Sequence, residues 1–123
     1  MAILPNKPIH LQRGANAEHL AYQFLLAKGL KPVTRNFRCK LGEIDLIMEQ
    51  GNTLVIVEVR YRKHTKFGSA EESITRKKQS RIIAATQYYL AGSRRNQAVR
   101  FDVIAITGNN PPNWIQNAFL TYT

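Results

Sequence analysis

Apolar Ala17, Leu20, Ala21, Phe24 and Leu25 recur at helical spacing across residues 15–28, and Gly29 follows as a stop signal. The spacing predicts a helix, with Glu18 at the edge of its apolar stripe, facing either solvent or the rim of the core. Residues 33–39 read as a short polar strand, and 42–49 as a second, with Ile44, Leu46 and Met48 alternating against Glu43, Asp45 and Ile47. The run 54–61 is apolar on both faces at its start, as a central strand should be, and becomes polar at Glu58 and Arg60. A second helix is predicted over 75–91, with Lys78, Ile82, Ala85 and Tyr89 on one face and Gly92 past its end. Strands over 99–106 and 114–121 follow, separated by the turn-forming cluster from Gly108 to Pro112. The order of helix, three strands, helix and two strands predicts an α/β fold with a single mixed β-sheet flanked by helices.

One turn fixes a register. Gly51 and Asn52 form a favoured two-residue hairpin loop between the second and third strands, so cross-strand partners have residue numbers that sum to 103. Asp45 then stands opposite Glu58, and Glu43 opposite Arg60. Two opposed carboxylates repel unless something positive lies between them. Asp45, Glu58 and the backbone carbonyl of Val59 are the hard oxygen ligands that Mg²⁺ or Mn²⁺ prefers, leaving positions for water and phosphate. The alternative is that Asp45 and Glu58 pair with neighbouring cations, Arg60 and Arg62 above all. Glu43 opposite Arg60 reads as an ion pair.

Charge changes the picture. Lys and Arg number 18 against 8 Asp and Glu, a net +10 that points to a polyanionic partner. Residues 60–81 carry eight basic residues, Arg62, Lys63, Lys66, Lys77 and Lys78 among them, against two acidic ones. These side chains suit phosphates, and Tyr61 or Phe67 suits base stacking; a solvated basic face is the plainer alternative. At 123 residues the chain predicts one domain over 13–123 behind a flexible segment at 1–12. Cys39 is the single cysteine, which excludes an internal disulfide framework and fits a cytoplasmic location. No signal-peptide pattern or apolar run of membrane-spanning length is seen, so no membrane partner is expected. His10, His19 and His64 have no metal-ligand spacing with Cys39, and Asp102 reads as one member of a cross-strand ion pair. No phosphate-cradling glycine motif follows any strand.

The motif from Gly42 to Ile47, Gly-Glu-Ile-Asp-Leu-Ile, followed by Val57-Glu58-Val59-Arg60, resembles the YraN-like family of small bacterial proteins. The resemblance extends to Arg13-Gly14, Glu18, Tyr61-Arg62 and Asn117-Ala118-Phe119, and so covers most of the chain. That family resembles a branch of the PD-(D/E)XK nucleases, which implies a restriction-endonuclease-like fold related to Holliday junction resolvases, with metal-dependent chemistry. By this resemblance Asp45 matches the metal-binding aspartate, Glu58 the acid of the (D/E)XK element, and Glu18 the helix-borne acid of resolvase-like members. Arg60 occupies the lysine position, where a permanently charged guanidinium can stabilise phosphoryl charge but cannot serve as a base. Lys63, Lys77 and Lys78 are the candidates for a substitute amine.

Two functions follow as expectations. One is a cytoplasmic Mg²⁺- or Mn²⁺-dependent endonuclease acting on DNA, with Glu18, Asp45, Glu58 and Arg60 as its catalytic set and a homodimer as its assembly. The other is a noncatalytic nucleic-acid-binding module on a degenerate nuclease fold. A weaker third is an interaction domain using an apolar surface around Trp114 and Phe119.

Overall fold

The computed structural model describes residues 9–62 and 74–120, with side chains in the first helix from Asn16 onward. Helix α1 (Ile9–Ala27) leads into strands β1 (Lys31–Cys39), β2 (Gly42–Gln50) and β3 (Thr53–Arg62). Helix α2 (Arg76–Ala91) and strands β4 (Ala98–Thr107) and β5 (Asn113–Phe119) complete the order. Helix α1 begins six residues earlier than its apolar spacing predicts, within the segment 1–12. Gln12, Arg13 and Gly14 carry no apolar period, and a helical glycine costs about 1 kcal/mol relative to alanine, so pattern reading stops short there.

The strands form one mixed sheet in the order β1-β2-β3-β4-β5. Neighbours are antiparallel except β3 and β4, which run parallel from Thr53↔Ala98 to Arg62↔Thr107. A parallel pair cannot be closed by a tight hairpin, and the connection between these two strands carries α2. Gly51 adopts φ +57° in the β2–β3 loop while Asn52 does not share a positive φ, the signature of a type II′ turn. Thr75 caps α2 by accepting from the Lys78 backbone N–H at 3.2 Å.

Each face of the sheet has its own core. Leu46, Met48, Val55, Val57, Ile104 and Ile106 pack against Ala17, Ala21 and Leu25 of α1. Ile47, Leu54, Ile56, Phe101 and Val103 pack on the other face against Ile82 and Ala85 of α2. Helices thus cover opposite faces, and β3 is apolar toward both. Among the described residues no helix is long and apolar enough to cross a membrane.

Trp114 and Phe119 are committed to packing. Trp114 meets Phe24 edge-on at 6.2 Å, and Phe119 stacks on Phe101 at 4.9 Å. Phe119 is core, whereas Trp114 is half-buried against the α1-side core. Asp102 is fully buried on β4, but its ion partner is Arg100 on the same strand, not a residue across the sheet. Its oxygens also accept from Trp114 Nε1 and the Asn117 backbone N–H, both at 2.9 Å, so the carboxylate ties the irregular β4–β5 pairing together.

Candidate active site

The β2–β3 ladder follows the expected register from Gln50↔Thr53 to Leu46↔Val57 and then stops. Beyond that pair the strands part, and a side chain replaces the backbone acceptor: the Val59 N–H donates to Asp45 Oδ2 at 2.8 Å. Asp45 and Glu58 therefore meet across a gap between the strands and not as a laddered pair. The expected Glu43–Arg60 pair does not form, because Glu43 faces Arg38 across the β1–β2 ladder at 3.7 Å and Arg60 turns to Glu58 at 3.9 Å. The strict alternation expected along β2 also breaks at Asp45. Leu46 and Met48 face α1, whereas Ile44 faces α2.

Three acids converge on this gap. The α2 face of β3 carries Leu54 and Ile56, and by alternation Glu58 and Arg60 as well. Glu58 is 8% exposed, with Arg60 and Lys78 at 3.9 and 3.8 Å from its carboxylate. Burial, a hydrogen bond to Asp45 and the Asp45 charge push its pKa up to about 9, outweighing those two cations. Both ion pairs lie near the limit of contact distance, which is why they fail to offset the burial. Glu18 reaches Asp45 from α1. Its pKa is raised by burial, by the Asp45 charge and by a hydrogen bond to Asp45, against the opposing pull of Arg35 and Arg38. Asp45 therefore stands between Glu18 and Glu58 at the centre of an acid trio.

The trio lies in a cleft of about 810 Å³ whose lining includes Lys40, Lys77, Lys78 and Arg81. The first turn of α2 has no acidic residue, so three consecutive cations, Arg76, Lys77 and Lys78, crowd the positive end of its macrodipole. Gly42 closes the cleft at the β1–β2 hairpin: a Cβ there would stand 2.8 Å from the Arg81 carbonyl oxygen. Of the basic residues singled out in the sequence, Lys77 and Lys78 line the cleft, while Arg62 ends β3 outside the lining. Lys63, Lys66, His64 and Phe67 lie outside the described residues, as does the side chain of His10. His19 is exposed, and Tyr61 lines the cleft while packing on the α1 core. Lys40 was not legible as a site residue, because only the close approach of its hairpin to α2 brings it here. Arg35 and Arg38 were missed for a similar reason: their proximity to Glu18 depends on how α1 packs.

Asp45 and Glu58 fit a hard divalent cation. Both are hard oxygen donors brought together at the gap, and the Asp45 charge beside Glu58 is one cause of its raised pKa, a repulsion that a cation between them would relieve. The Val59 N–H points to the β2 side, and in a strand the carbonyl of the same residue points the same way, into the gap. Among the described residues no three His, Cys, Asp or Glu side chains are arranged as a metal-binding group. The donor set is two carboxylates and a carbonyl, which leaves about half of an octahedron for other ligands. The Arg60 Nε, beside them, is buried with no acceptor among the described residues.

The profile of "Uncharacterised protein family UPF0102" matches residues 17–106, which span α1 to β4 and include every acid of the trio. A UPF0102 protein of Aeromonas hydrophila is 52% identical over 120 residues, 95% of this chain and 89% of its own length. One from Saccharophagus degradans is 51% identical over 112 residues, covering 89% of this chain and 94% of the relative. A third, from Nitrosococcus oceani, is 48% identical over 115 residues. With the profile across most of the chain and relatives near half identity, the chain belongs to the UPF0102 (YraN-like) family.

Proposed function

We propose that the protein is a metal-dependent endonuclease that cleaves phosphodiester bonds in DNA, with branched or structured DNA as its substrate class. The observation that carries this reading is the convergence of Glu18, Asp45 and Glu58 in a cleft lined by cations. Buried acids that repel one another destabilise a fold, and basic side chains around them suit a polyanion. The mixed sheet with one helix on each face is the layer arrangement that the nuclease resemblance implies.

In this mechanism Asp45, Glu58 and the Val59 carbonyl would hold Mg²⁺ or Mn²⁺. The ion, when bound, supplies a water of lowered pKa and neutralises charge on the phosphate. Glu18 orients Asp45 from the α1 side through their hydrogen bond. Arg60 contributes a fixed positive charge for the phosphoryl transition state and takes no part in proton transfer. Lys78, 3.8 Å from the Glu58 carboxylate, is the candidate for the amine that Arg60 cannot supply. Lys40, Lys77 and Arg81, which line the cleft, would hold neighbouring phosphates. A homodimer would present two such clefts, as paired cuts in a branched substrate require. The one free cysteine suits the cytoplasm as its compartment.

The second reading, a noncatalytic nucleic-acid-binding module, is favoured by Arg60 at the lysine position. Incubation of matched linear duplex, four-way junction, single-stranded DNA and RNA with Mg²⁺ or Mn²⁺, against an Asp45→Ala control, decides between the two. The endonuclease reading expects metal-dependent cleavage of DNA that Asp45→Ala abolishes. Binding without cleavage of any substrate would establish the module, and neither binding nor cleavage would overturn both.

A further inference from the structure

We infer that Asn36 is a positioning residue for Asp45: its left-handed backbone turns β1 and β2 over together and brings the Asp45 carboxylate into the plane of the sheet against Val59. The functional consequence rests on the metal-site reading above, whereas the geometric claim does not. Asn36 lies within β1 at φ +53°, a conformation that L-residues other than glycine rarely adopt and that Asn tolerates best. In the β1–β2 ladder the pairs Arg35↔Leu46 and Phe37↔Ile44 are intact, and the two residues between them are Asn36 and Asp45.

Side chains two residues apart on a strand should share a face. Here they do not, in either strand. Leu46 packs in the α1 core, and Arg35 lies over the Tyr22 ring of α1 at 4.3 Å. Ile44 and Phe37 pack in the α2 core. Both strands therefore change phase at the same cross-strand position, and the single left-handed residue at that position is Asn36.

The phase change determines what Asp45 can reach. Backbone N–H groups lie in the plane of a sheet, so a carboxylate that accepts from the Val59 N–H is held near that plane. From there Asp45 meets Glu18, which arrives on the α1 side, and Glu58, which lies on the α2 side. With Asn36 extended, strict alternation would put Asp45 on the same face as Ile47, toward α2 and away from Glu18. The β2–β3 ladder would also be free to run on past Leu46↔Val57, giving Val59 N–H a backbone carbonyl and closing the gap.

The test compares Asn36→Gly, which keeps the left-handed conformation accessible, with Asn36→Ala and Asn36→Val, which disfavour it. Two readouts are taken on each full-length variant: hydrogen exchange of the Val59 amide without metal, and Mn²⁺ affinity by calorimetry. Asn36→Gly is expected to match the wild type in both. Asn36→Ala is expected to change the Val59 exchange rate and weaken Mn²⁺ binding on the order of tenfold, with Asn36→Val weaker still. Should Asn36→Val fail to fold, Asn36→Ala carries the comparison. Wild-type values for Asn36→Ala in both readouts, or an Asn36→Gly as impaired as Asn36→Ala, would overturn the inference. A wild type that binds no Mn²⁺ would defeat the metal-site reading alone, since Val59 exchange still decides the role of Asn36.

Discussion

Replacing Glu58 by Gln reads the site through folding stability. The Glu58 carboxyl has an ordinary pKa of 4.5 and one of about 9 in the fold, with burial as the largest cause. Between those values the folded protein holds a proton that the unfolded chain has released, so stability falls as pH rises. The contribution is fully present below pH 4.5 and is lost progressively toward pH 9. One proton of difference corresponds to about 1.4 kcal/mol per pH unit, so an isolated group would lose about 4 kcal/mol between pH 5 and pH 8. The interaction of Glu58 with Asp45, and the open side of the cleft, reduce the expectation to about 1–3 kcal/mol. Gln carries no titratable proton and fills nearly the same volume. Urea unfolding of both proteins with chelator at pH 5 and pH 8 makes the comparison, and other titrating groups cancel in the difference. Glu58→Gln is expected to equal the wild type at pH 5 and exceed it at pH 8. Adding Mn²⁺ at pH 8 to 100 times its dissociation constant should then restore about 2.7 kcal/mol to the wild type and nothing to the variant. A stability difference that is the same at both pH values would refute the reasoning.

Arg60→Lys is expected to preserve or raise metal-dependent cleavage, whereas Arg60→Ala lowers it, as single-turnover rates on junction DNA would reveal. Asp102→Ala leaves Arg100, Trp114 Nε1 and the Asn117 N–H without their acceptor, and should cost about 3–5 kcal/mol in urea unfolding while sparing Mn²⁺ affinity. Gly42→Ala sets a Cβ against the Arg81 carbonyl oxygen with backbone on both sides, which should cost about 1–3 kcal/mol in the same assay. Lys77→Glu with Lys78→Glu should weaken DNA binding and reduce the slope of log affinity against log salt by about 2, as anisotropy titrations across a salt series would measure.

Much of this arrangement was legible in the chain. A two-residue hairpin loop fixes pair sums, so Gly51-Asn52 alone determined which residues of β2 and β3 are partners, and five observed pairs obey it. The face of α2 was legible because Ile82 and Ala85 recur at helical spacing. What escaped was the break in periodicity at Asp45. Pattern reading assumes a period of two along a strand, and Asn36 in a polar run gives no hydrophobic signal of a phase change. The error mattered for Glu43, whose partner Arg38 lies across β1, because extending the hairpin arithmetic past the end of the ladder assigned it to Arg60. Asp102 was misjudged for another reason: Arg100 reaches it along the same strand, and the Trp114 and Asn117 contacts depend on how β5 kinks.

Several unfavourable features of this fold gather at one end of its sheet. There Glu58 is buried with a proton, Asn36 holds a left-handed backbone, Arg60 Nε lacks an acceptor among the described residues, and cations crowd the positive end of the α2 macrodipole. Elsewhere polar groups are well matched. Glu49 accepts from Arg95 and Gln97, which holds its pKa below the ordinary value, and buried Asp102 has four donors. A sequence shaped only for stability would spread such costs or remove them by single substitutions, as Gln at 58 or Gly at 36 would do. Under the proposed function, ligands at the cleft would relieve the burial of Glu58 and the crowding of its cations together. A divalent cation would displace the Glu58 proton, and a phosphate backbone would neutralise the lysines and arginines around the acids. Each ligand answers only one sign of the local charge. The acids without the metal would repel the nucleic acid, so cation and polyanion are expected to bind with positive coupling.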